Sequence, residues 1–115
     1  MFEQILVPVD GTKRGAEAIE IASRLAERFD ARLILLRVED TATPTDQLLD
    51  DNLDLEQRAA DLRQLGLRVR HSIEFGRPDQ SITELAQTSR AQLVVLAPHH
   101  RSLLTAVRAP SVTVR

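Results

Sequence analysis

The stretch Ile5-Leu6-Val7-Pro8-Val9-Asp10-Gly11-Thr12 begins as a continuous apolar run and ends on a carboxylate, a glycine and a threonine. A segment that is apolar at every position suits a strand covered on both faces, as in a parallel sheet. Leu33 to Leu36 and Leu93 to Leu96 repeat that pattern. Two further stretches alternate instead. Leu67, Val69, His71, Ile73 and Phe75 stand against Arg68, Arg70, Ser72 and Glu74, and Val112 and Val114 stand against Ser111, Thr113 and Arg115. Alternation means one buried face, which places these two strands at sheet edges or under a missing helix.

Helical patterns lie between the strands. Ala18, Ala22, Leu25 and Phe29, widened by Ile19 and Ala26, make an apolar stripe over residues 13–29. Leu48, Leu55, Ala59 and Leu62 make a second, after Thr43-Pro44 and ending at Gly66, a helix-terminating glycine. Pro78 suits a first helical turn, with Ile82, Leu85, Ala86 and Ser89 following at helical spacing. The acidic, turn-rich start of residues 41–54 reads as the most mobile part of the chain. Alternating strands and helices with right-handed crossovers predict an open parallel α/β sheet. With the two alternating strands at the edges, the expected order is 3-2-1-4-5, with the topological switch between strands 1 and 4. Ligands in such sheets sit beyond the carboxyl ends of the strands at that switch. Those ends are Pro8 to Thr12 and Ala97-Pro98-His99-His100-Arg101.

Composition narrows the function. The 115 residues suit a single domain over 1–115. A net charge of -2 argues against general binding to phosphate backbones, so no nucleic-acid partner is expected. Three Phe with no Trp or Tyr leave no aromatic platform for single-stranded bases. The absence of cysteine removes disulfides, thiolate nucleophiles and the common structural zinc sites. No apolar run is long enough to span a membrane and the first residues do not form a signal peptide, so a cytoplasmic domain without membrane contact is expected.

Taken in order along the whole chain, the sequence resembles the universal stress protein family, single-domain bacterial type. The matching pieces are Ile5 to Thr12, Leu33-Ile34-Leu35-Leu36-Arg37-Val38, Gly76-Arg77-Pro78, Ile82, Ala91-Gln92-Leu93-Val94-Val95-Leu96, and Ala109-Pro110-Ser111-Val112-Thr113-Val114-Arg115. The resemblance implies a three-layer α/β/α Rossmann-like fold and a homodimer. In the ATP-binding branch it also implies a nucleotide at the switch point, with a carboxylate at Asp10 reading an adenine edge and backbone contacts from Val38. ATP-binding members carry a G-x2-G-x9-G-[S/T] pattern between strands 4 and 5, whose glycines let backbone amides approach the phosphates. Here the glycines are Gly11, Gly15, Gly66 and Gly76, and none follows. Ala97 and His100 stand where the first two motif glycines would fall, and the third has no counterpart. The chain from Ala97 to Arg115 is shorter than the family's tail, so helix 4 is expected to be shortened or lost.

Two readings attach to each polar candidate. Asp10 either recognises a nucleotide base or caps helix 1. His99, His100 and Arg101, with Lys13 and Arg14 in the first turn of helix 1, either hold an anion without glycines or form a solvated surface. No further His or Cys is placed to complete a metal shell from His99, His100 and Asp10, so no metal is expected. His71 reads as a satisfied edge histidine, and Asp46, Asp50, Asp51, Asp54 and Glu56 as a solvated helix face without calcium-loop spacing. No nucleophile elbow or triad appears. The expectation is therefore a non-enzymatic stress-response or regulatory domain with no cofactor, acting through an unknown protein partner and not binding ATP in the family's manner. The alternative is an adenine-nucleotide- or anion-binding module built on Asp10, Val38, His99, His100 and Arg101. A homodimer is expected through strand 5, Ser111, Val112, Thr113 and Val114, an edge without internal proline or lysine.

Overall fold

The computed structural model of the chain describes residues 3–9, 13–96 and 105–108. Its elements run β1 (Gln4–Pro8), α1 (Lys13–Phe29), β2 (Arg32–Glu39), α2 (Thr45–Gln64), β3 (Val69–Phe75), α3 (Pro78–Thr88), β4 (Leu93–Leu96) and β5 (Thr105–Arg108). The continuous apolar runs form the three inner parallel strands, and the alternating stretch forms β3 at the edge. Four strands are parallel, in the order β3-β2-β1-β4, with Ile5 opposite Leu33 on one side and Leu93 on the other.

The fifth position requires a correction. Ser111 to Arg115 lie outside the described residues, and the segment beside β4 is Thr105–Arg108, running antiparallel with Leu93 opposite Arg108. A parallel return needs a crossover of about a dozen residues or more, usually helical. Residues 97–104 are all that separate β4 from β5, which suits a direct antiparallel return.

The two faces of the sheet are covered unequally. On the first, Ile5, Val7, Leu33, Leu35, Val69, Leu93 and Val95 meet Ala18, Ile19, Ala22 and Ala26 of α1 and Leu55 and Ala59 of α2. The alanines at every fourth position of α1 let its backbone approach the strands closely. On the second, Leu6, Ile34, Leu36 and Val94 meet Ala86 and Ala91, with Ile82 and Leu85 of α3 packed alongside. Residues 41–54, read as the most mobile stretch, hold a short turn and then the first half of α2.

The three helices among the described residues end alike. Ala31, Leu67 and Ala91 donate their N–H groups back to Ala26, Leu62 and Ala86. The preceding residues, Asp30, Gly66 and Arg90, take the positive φ that this closure requires. Each helix thus turns into the next strand with its last carbonyls bonded. Beyond α3, Gln92 fastens β4 to β1: its side-chain oxygen accepts from the Gln4 N–H at 2.9 Å, and Gln4 in turn donates to the Ser89 carbonyl.

Candidate functional site

The topology puts the switch point between β1 and β4, at the carboxyl ends of the strands. Of the residues expected there, Asp10, His99, His100 and Arg101 lie outside the described residues, as do the side chains of Lys13 and Arg14. Val38 is described. Its side chain is half-buried and packs against the second core cluster. Its backbone direction follows from the ladder. Leu36 C=O accepts from Val9 N–H at 2.8 Å, whereas Leu33 N–H donates across to Arg68. Even-numbered residues of β2 therefore turn their polar groups toward β1. Val38 N–H and C=O point to that side, just past the last paired β1 residue, Pro8.

Beside Val38, on the opposite face of β2, lies a buried charged cluster that pattern reading did not find. Arg37 Nε donates to Glu39 Oε1 at 3.3 Å, and Arg37 Nη2 stands 3.4 Å from Asp51 Oδ2 in the first half of α2. Glu39 is the one charged residue buried among those described, at 6 % exposure. Burial raises its carboxyl above the ordinary value of 4.5, and the neighbouring Asp51 carboxyl raises it further, while the Arg37 guanidinium pulls the other way. Glu39 Oε2 and Asp51 Oδ2 are buried with no hydrogen-bond partner, the latter met only by the 3.4 Å ion pair with Arg37. A proton on Glu39 would let its neutral carboxyl donate to the Asp51 carboxylate, the direction in which burial and Asp51 move it. The cluster ties β2 to α2 directly beneath the strand end that carries Val38.

Two expectations change with these contacts. Asp51 leaves the solvated acidic face; Asp46, Asp50, Asp54 and Glu56 stay exposed on α2 as expected. His71 is half-buried on β3, and its Nδ1 is buried with no partner, so the histidine is not satisfied as foreseen. The signal for the cluster was in the sequence: Arg37 and Glu39 alternate around Val38 and so share one face of β2 whose other positions, Leu33 and Leu35, are apolar. Among the described residues no group of three His, Cys, Asp or Glu could hold a metal ion, and no helix is long and apolar enough to cross a membrane. A polar cleft lined by Glu3, Gln4, Asp30, Arg32 and Arg68 lies at the opposite, amino-terminal end of the strands, away from the switch.

The family profile described as "Universal stress protein family" matches residues 1–115. Solved structures agree in fold. A protein from the universal stress protein family of Burkholderia pseudomallei superposes with a TM-score of 0.72 at 22% identity, over 84% of this chain and 82% of that one. The universal stress protein UspA from Lactobacillus plantarum superposes with a TM-score of 0.67 at 26% identity, over 88% and 84%. A universal stress protein solved in complex with cAMP gives 0.67 at 18% identity, over 81% and 74%.

Proposed function

Because the chain belongs to the universal stress protein family, we propose that it is a stress-response or regulatory domain that works without catalysis and does not hold ATP in the manner of the ATP-binding branch. The observation that carries this reading is the distribution of glycine. Gly11, Gly15, Gly66 and Gly76 are the only four, so the whole segment after β4 lacks the residue that brings backbone amides against phosphate. The short span of residues 97–104 between β4 and β5 supports the same reading, since a phosphate-binding helix has little chain from which to form. Function then rests on protein contacts, in a cytoplasmic setting, with a homodimer formed through the carboxy-terminal segment Ser111 to Val114, which follows the edge strand β5.

A second reading has a specific observation behind it. The Val38 backbone groups point toward the switch, where a base edge could be met, and one structural relative was solved with cAMP. In this reading Asp10 and Val38 hold the base, while His99, His100 and Arg101 take the place of the glycines around an anion. A thermal shift titration with ATP, AMP and cAMP separates the two. Stabilisation follows RT ln(1 + [L]/Kd), about 2.7 kcal/mol at a hundredfold excess over Kd. A flat response at millimolar ligand is expected, and a saturable rise with any of the three overturns the first reading. Asp10→Ala then sharpens the answer. A cap alone costs about 0.5–2 kcal/mol of stability, whereas a base-reading carboxylate would take the ligand-dependent rise with it.

A further inference from the structure

The outer edge of β3 has a sequence that complements itself. Arg68 C=O accepts from Leu33 and Gly76 N–H donates to Glu39, so even-numbered positions of this stretch face β2. Val69, His71, Ile73 and Phe75 therefore turn their N–H and C=O groups outward. The strand holds neither proline nor lysine, the residues that commonly guard such an edge. One outward carbonyl is covered: Arg63 of α2 donates to Val69 C=O from Nε at 3.1 Å and Nη2 at 2.8 Å. That contact shows which flank of α2 borders the edge. Leu49 and Leu53, 61% and 62% exposed, lie on the same flank, within about 80° of Arg63 at 3.6 residues per turn. Phe75, at the end of the strand, is 53% exposed.

We propose that the β3 edge pairs antiparallel with the β3 edge of a second copy of this chain, about a two-fold axis at Ser72. In that register all seven residues pair, and each outward-facing residue meets another: Val69 the partner's Phe75, and His71 the partner's Ile73. The intervening positions bring Arg70 opposite the partner's Glu74, twice by symmetry, with Ser72 against its own mate. Among the described residues, Arg70 is exposed and makes no ion pair, and Glu74 is exposed and accepts only from Ser72, at 3.0 Å. Within β3, no neighbouring register does this. Moving the axis one residue sets Ser72 against a charge, and moving it two sets Arg70 against Arg70 or Glu74 against Glu74. Sheet continuity keeps α2 of both copies on one side, so the Leu49–Leu53 flank of each faces the other across the new seam. Val69 C=O has a second lone pair for the partner's N–H, so Arg63 need not leave.

The chain has no cysteine, which makes the test clean. In antiparallel pairing Ser72 falls at a non-hydrogen-bonded site, where opposed Cα atoms stand about 4.5 Å apart, within disulfide reach. Ser72→Cys should give a disulfide dimer under mild oxidation far faster than Gln80→Cys, an exposed control on α3. Adding Arg70→Glu should slow the cross-link about tenfold or more, since both cross-strand pairs become repulsive. Adding Glu74→Arg to that variant should restore it. A Ser72→Cys rate no faster than the control, or a charge swap as slow as the single reversal, overturns the proposal. Neither outcome depends on nucleotide binding or on the carboxy-terminal edge.

Discussion

Glu39 gains its setting from burial and two neighbours, Arg37 and Asp51, and the consequence for stability has a definite sign. Its carboxyl is raised above the ordinary 4.5 by burial first and by Asp51 second, so the folded chain holds that proton more tightly than the unfolded chain does. Between the two values, stability falls as pH rises, because the native state binds the extra proton. Below about 4.5 both states are protonated and the contribution is complete; above the raised value the loss is complete and flat. Glu39→Gln copies the neutral form: its Oε1 accepts from Arg37 and its amide donates to Asp51. Urea unfolding measured from acid to neutral pH should show the downward slope in the wild type and a flatter profile in the variant. At neutral pH the variant should be at least as stable. A slope unchanged by the substitution would remove Glu39 as its source. The residues of this cluster were only half legible. Arg37 and Glu39 announce a shared face by their spacing, but nothing local to Asp51 separates it from Asp50, since one step of 100° around α2 decides which of them turns inward.

The elements show where propensity agreed with structure and where tertiary closure overrode it. α2 ends at Gly66, whose φ is +93°, and a glycine there reads directly as a stop signal. α1 and α3 end through Asp30 at φ 54° and Arg90 at φ 58°, with the same backward hydrogen bond but no glycine to announce it. Their ends were legible only from the apolar stripes running out. The asymmetry is measurable. A Cβ on Gly66 would meet nothing within 4 Å, so Gly66→Ala is sterically free and its cost is conformational, about 1–2 kcal/mol. Arg90→Gly should move the other way, relieving the left-handed strain and raising stability by up to about 1 kcal/mol after the added freedom of the unfolded chain is counted. Denaturant midpoints of the two variants check both signs. The same scale explains β5. The alternation at Ser111 to Arg115 reads as a strand from its side chains alone and lies outside the described residues, whereas β5 forms at Thr105–Arg108, and its antiparallel direction follows from the short chain, residues 97–104, available for the return.

Across the whole molecule, continuous against alternating apolar runs sorted the inner strands from the β3 edge, and handed crossovers then ordered them. That logic needs only pattern and chirality, so it survived. The polar groups at the switch could not be assembled the same way, because spacing along a loop does not say where side chains meet. The unequal covering of the two faces carries one more consequence. α1 buries Ala18, Ala22 and Ala26 almost completely against strands that α2 also covers, while among the described side chains of α3 only Ala86 is buried, and the half-exposed Ile82 and Leu85 shield its face. Opening α3 therefore exposes less apolar surface than opening α1, and partial unfolding follows the smaller loss. Amide hydrogen exchange at low denaturant should show α3 protons escaping through a local event with a shallow denaturant dependence, while those of Ala22 to Phe29 wait for global unfolding. Equal protection in both helices would contradict this. The fold, in that case, has a preferred order of release: the helix that closed the sheet's second side is the first to let go.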